Sequence, residues 1–93
     1  MLPILHRILI DQTQAIGTRD KDGNIALHEA AYFGNPENVK RLLKADKSLV
    51  NKKNYNKETP LFKARFQKAN NSSRYVRELY DRVIRELKKY GAY

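Results

Sequence analysis

The side chains able to do covalent or metal chemistry are few, and their spacing works against it. The histidines are His6 and His28, 22 positions apart, without the one-turn spacing that lets two imidazoles share a metal. No metal site is expected. Ser48, Ser72 and Ser73 fall in loop or cap sequence with no base beside them to draw off a hydroxyl proton. The four glycines form no phosphate-cradling run. Cysteine is absent, which removes disulfide, thiolate and thiolate–metal chemistry. The expectation is a noncatalytic chain with no catalytic residue and no cofactor.

What remains is charge and aromatic contact. The net charge is +9, and residues 52–93 carry 12 Lys or Arg against 4 acids, whereas residues 1–51 carry 7 against 6. Nucleic-acid binding would need that charge gathered on one surface beside stacking groups, a part open to Tyr55, Phe66 and Tyr75. An acidic protein partner would use the same charge, and a solvated face of Lys52, Lys53, Lys57 and Lys68 needs only water. The solvated face is the first reading, the acidic protein the second and nucleic acid the last; salt dependence of binding separates the last two.

Residues that bind must be held by something, and here it is a repeat. Shifted by 34 positions, the chain lies on itself: Ile8-Leu9 falls on Leu42-Leu43, Ile16 on Val50, Asp20 on Asn54, Leu27 on Leu61 and Ala30 on Ala64. A period of this size marks stacked units, each too small to bury its own apolar side. Asp20-Lys21-Asp22-Gly23 has turn chemistry, with short carboxylates for nearby backbone and a glycine for positive φ. Leu27, Ala30 and Ala31 then give a short helix a narrow, close-packing side. Gly34-Asn35-Pro36 stops that helix and starts another, whose apolar stripe is Val39, Leu42 and Leu43. The unit is turn, helix, turn, helix, and the fold class is all-α.

Asp20 through Ala31, with Val39 and Leu42-Leu43, resembles the ankyrin repeat, whose mark is a turn followed by Thr-Pro-Leu-His-x-Ala. In the first copy Ile25 and Ala26 replace the Thr-Pro. In the second, Thr59-Pro60-Leu61 is intact, Phe62 replaces the His and Arg65 the second Ala. In the family the Thr and His tie each turn to its neighbours, so each copy keeps part of that network, and His28 takes a structural slot. The resemblance implies an ankyrin-like helix-turn-helix solenoid acting as a protein–protein interaction module. Such a module grips its partner with the turn tips and the exposed side of the first helix, the concave face. Carried over by position, that face is Lys21, Asp22, Asn24, Glu29, Tyr32 and Phe33 in one unit and Tyr55, Asn56, Glu58, Lys63, Phe66 and Gln67 in the next. Rigid aromatics are the usual hot spots of interfaces; for Phe33 and Phe66, packing between units is an equal reading.

The rest of the chain registers on this unit as one domain over residues 1–93. Residues 1–17 read as an N-terminal half repeat with Leu5, Ile8 and Leu9 on its stripe, residues 18–51 as a full repeat, and residues 52–93 as a divergent C-terminal repeat. The polar break Ala69-Asn70-Asn71-Ser72-Ser73 precedes one long helix over 74–90 that serves as a cap, supported by Glu78–Arg82 and Asp81–Arg85 pairs at i,i+4. The first helix has only His6 and Arg7 to offer water, leaving Ile4, Leu2 and Ile10 without an intrachain neighbour. Two explanations compete: a missing upstream segment, or a homodimer through this edge, which is slightly favoured. A fragment of a longer repeat array is the related alternative. The apolar start is shorter than the roughly 20 residues that a membrane span needs and lacks the marks of a signal peptide. No membrane association is expected, and the chain should be cytoplasmic, or delivered into a host cell if it comes from an intracellular bacterium or a virus.

Overall fold

A computed structural model describes residues 15–93. Four α-helices are present there, α1 (Ala26–Tyr32), α2 (Pro36–Ala45), α3 (Pro60–Ala69) and α4 (Arg74–Lys89), with single 3-10 turns at Ala15–Gly17 and Lys47–Leu49. Among the described residues there is no strand, as the all-α reading requires.

Three of the four helices start where the sequence supplies a cap. Asn35 accepts from the Asn38 N–H ahead of Pro36, Thr59 from Phe62 N–H ahead of Pro60, and Ser73 from Val76 N–H. At the end of α1, Gly34 takes φ +66°. Its N–H bonds to Ala31 O and that of Asn35 to Ala30 O, the paired C-terminal motif that only a left-handed residue allows. One period on, position 68 is Lys, so nothing stops α3 there. It runs on to Ala69, ten residues against seven for α1, and ends where the Asn70 and Asn71 side chains donate to the carbonyls of Phe66 and Gln67. That extension explains why the period fails after Ala64.

α1 packs on α2 and α3, and α4 closes against α2 and α3. The core runs through Leu27, Val39, Leu43, Leu61, Val83 and Leu87, all essentially without exposed surface. Each such side chain stabilises the fold by about 1.5–3 kcal/mol. α4 is the long helix expected over 74–90, ending one residue earlier at Lys89, with Tyr80, Val83 and Leu87 inward. Its charges are used differently from the expectation. Asp81 pairs with Lys68 of α3 at 2.6 Å and Arg82 reaches Glu37 of α2 at 3.6 Å. The i,i+4 pairs Glu78–Arg82 and Asp81–Arg85 do not form, because the partners across the helix interfaces are closer to hand. The N-terminal half repeat, with Leu2, Ile4, Leu5, His6, Ile8, Leu9 and Ile10, and the dimer through it lie outside the described residues.

Candidate functional site

Two turns one period apart form the tip of the stack, and the sequence builds both in the same way. Asp20 Oδ1 accepts the N–H groups of Asp22 and Asn24, each at 2.9 Å, and 34 residues later Asn54 Oδ1 accepts those of Asn56 and Glu58 at 2.9 and 2.8 Å. The Asn24 N–H leads in holding the Asp20 carboxyl below its ordinary range. In both turns the opening N–H returns to the closing carbonyl at 2.9 Å, Asp20 to Asn24 and Asn54 to Glu58.

The turns are then fastened to each other. Tyr55 N–H donates to Asp22 O at 3.0 Å. Asn54 Nδ2 donates to Asn24 Oδ1 and Glu58 Oε1, both at 2.8 Å. Arg19 Nη1 bridges Gly23 O at 2.6 Å and Lys53 O at 2.8 Å. His28, 1 % exposed, joins helix to turn. Its Nδ1 accepts the Ile25 N–H at 3.1 Å, reaching back to the residue before the helix, so its proton is on Nε2, which donates to Glu58 O at 2.8 Å.

Burial holds the His28 pKa below the ordinary imidazole value, with the charges of Lys63 and Arg19 adding to the effect. The neutral ring is therefore the folded form. Between the folded pKa and the unfolded value of about 6.5 the unfolded chain binds the extra proton, so stability is full above about pH 6.5 and declines as pH falls through that window. Melting temperature is expected to drop between neutral pH and about pH 5, before the carboxylates titrate. The His28 ring signals in a proton NMR titration should move at lower pH than a free imidazole. Titration at or above about 6.5 would contradict this assignment.

Where the first turn has a glycine, the second has a lysine. Gly23 has φ +81°, and its counterpart Lys57 adopts φ +64°, a region that costs a side-chain-bearing residue about 1–2 kcal/mol. Lys57→Gly is expected to stabilise the chain by about 0.5–1 kcal/mol, after the greater freedom of glycine in the unfolded state is subtracted. A rise of several degrees in melting temperature is the check; no rise would mean that Lys57 gains a compensating contact.

The twelve residues read from the sequence as a concave face divide by what holds them. Tyr32, Phe33, Tyr55 and Phe66 are 41, 73, 66 and 55 % exposed, so neither Phe33 nor Phe66 is tucked between units. The Tyr32 and Phe33 rings meet edge to face at 5.0 Å. Lys21, Asp22, Asn56 and Glu29 are also exposed, and Gln67 is half-buried. Asn24, Glu58 and Lys63 serve the structure: Lys63 Nζ binds Glu58 at 2.8 Å and lies 5.9 Å from the Tyr32 ring centre. The Asn54 amide, then Lys63, keeps the Glu58 carboxyl below its usual range. Asn24, His28, Glu29, Tyr32, Phe33 and Lys63 line an open groove of about 200 Å³ between the inner helices. One exposed aromatic on the same helices was missed by the sequence reading: Phe62, 46 % exposed beside Phe66. The signal was its place in the histidine slot.

Among the described residues no three His, Asp or Glu converge as metal ligands, and no helix is long and apolar enough to cross a membrane. A family model for ankyrin repeats, in three copies, matches residues 1–89. Among curated proteins none matches the chain.

Proposed function

Because the chain belongs to the ankyrin repeat family, whose members are generally protein–protein interaction modules, we propose that it is a noncatalytic module holding a partner protein with its turn tips and the exposed side of α1 and α3. The observation that supports this reading is the row of outward aromatics. Tyr32 and Phe33 on α1, Tyr55 on the turn and Phe66 on α3 stay exposed although the core is complete without them. Large rigid side chains left on a rigid scaffold suit an interface, where each is worth about 2 kcal/mol or more once buried. The excess of Lys and Arg over residues 52–93 favours a partner with acidic surface.

The test begins with proteins captured from lysate on the immobilised chain and identified by mass spectrometry, followed by direct affinity measurement with the purified partner. Replacing Tyr32 and Tyr55 together by Ala is expected to weaken binding at least about tenfold, about 1.4 kcal/mol. The helical circular dichroism should stay unchanged, since the Tyr32 carbonyl and the Tyr55 N–H are kept. Full affinity in the double variant would remove the concave face from the reading.

A further inference from the structure

α3 is covered on one side and open on the other. α1 directs His28 onto the following turn, at 2.8 Å from Glu58 O, and keeps Ala31 fully buried. One period on, the same two positions are Phe62 and Arg65, and both are exposed. With Phe66 and Ala69 they recur at i, i+3, i+4 and i+7, which places them on one side of α3. The Phe62 and Phe66 rings lie 6.0 Å apart, inclined by 30°. The Arg65 side chain forms no hydrogen bond and no ion pair within the described residues.

The residues themselves discriminate between occupants. A further ankyrin unit in register would need a ring nitrogen at position 62 to hold its turn and a small residue at 65 to admit its helix; Phe62 has no donor and Arg65 is large. A second copy packed on this side about a two-fold axis would bring two unpaired Arg65 guanidinium groups into one small interface, on chains that each carry +9. We infer that the open side of α3 is a docking surface for an amphipathic segment of another protein, with apolar side chains on Phe62 and Phe66 and a carboxylate on Arg65. Charge complementarity decides the chemistry. Three of the four acids in residues 52–93 are already taken, Glu58 by Lys63, Asp81 by Lys68 and Glu86 by Lys89. The fourth, Glu78, forms no ion pair with Arg65, so among the described residues the Arg65 guanidinium fork, ready for two parallel bonds to one carboxylate, has no partner. This surface shares only Phe66 with the concave face and extends binding round the end of the stack.

The test is selection of random peptides displayed on phage against the full chain at physiological salt, repeated on Arg65→Glu. The native chain should select Asp or Glu next to Leu, Ile, Phe or Trp. Binding of those peptides should fall at least about tenfold with Phe62→Ser and with Arg65→Glu, and be unchanged by Tyr32→Ala with Tyr55→Ala. The Arg65→Glu chain should select Lys or Arg in the acidic position. Circular dichroism of each variant confirms that the fold is kept. Selection of no peptide sensitive to both Phe62 and Arg65 overturns the inference, as does sensitivity to the tyrosine pair alone, which supports the concave face only. A dimer in sedimentation velocity that Phe62→Ser dissociates would also overturn it and assign the surface to a second copy.

Discussion

Gly23→Ala is expected to destabilise the chain by about 3–5 kcal/mol. Two separate costs meet at this atom. The backbone is held at φ +81°, where a Cβ is strained whatever the surroundings. A Cβ there would also lie 2.5 Å from the Tyr55 ring and 2.6 Å from the Tyr55 backbone nitrogen. The ring could turn away; the nitrogen could not without breaking its 3.0 Å bond to Asp22 O, the backbone link between the two turns. Arg19, which spans Gly23 O and Lys53 O, would lose its geometry with it. For a domain of this length about 4 kcal/mol corresponds to a fall of about 15 °C or more in melting temperature. Lys57→Gly is the matched control with the opposite sign, since the same turn position there is exposed. A Gly23→Ala chain melting within a degree or two of the native one would show that the turns are not locked together as described.

How much of this could be read from the chain alone depends on whether a feature repeats. Leu27 and Leu61, Ala30 and Ala64, and Asp20 and Asn54 are equivalent in both sequence and structure, because a period fixes which positions face the core and which open a turn. The helix starts at Pro36 and Pro60 were legible for a local reason, whereas the capping roles of Asn35 and Thr59, whose acceptors reach only three residues ahead, were not singled out. What the period does not reveal is partners. Asn24, Glu58 and Lys63 occupy outward positions by register, yet they bond across 30 residues or within a turn to hold the tip together. Asp81 and Arg82 look like members of i,i+4 pairs until α2 and α3 bring Glu37 and Lys68 near. Lys57 carried no glycine to announce its positive φ. In the site, the exposed aromatics followed from register, while Phe62 was overlooked because a residue replacing a structural histidine was counted as a loss instead of a new surface.

Tyr80 shows how a contact invisible to the period can carry the attachment of a whole helix. Its ring is 5 % exposed, its hydroxyl donates to Tyr32 O at 2.6 Å across 48 residues, and its ring atoms lie 3.1–3.4 Å from where a Gly34 Cβ would be. Gly34 thus does two things: it ends α1 in the left-handed conformation, and it leaves room for the ring that fastens α4 to that end. Tyr80→Ala removes the ring and opens a cavity, with an expected cost of about 3–5 kcal/mol. Tyr80→Phe keeps the packing and loses one hydrogen bond, leaving the Tyr32 carbonyl at a partly exposed helix end where water can replace it, so about 1 kcal/mol is expected. Urea unfolding of the two variants separates the contributions. Equal losses would move the stabilisation from the ring to the hydroxyl, and a loss below about 1 kcal/mol for Tyr80→Ala would mean that α4 is held by Val83 and Leu87 alone. Because the same hydroxyl fixes the backbone of Tyr32, Tyr80→Phe should also weaken partner binding modestly while leaving the peptides that dock on Phe62 and Arg65 unaffected, a difference that neither loss of fold nor loss of charge would produce.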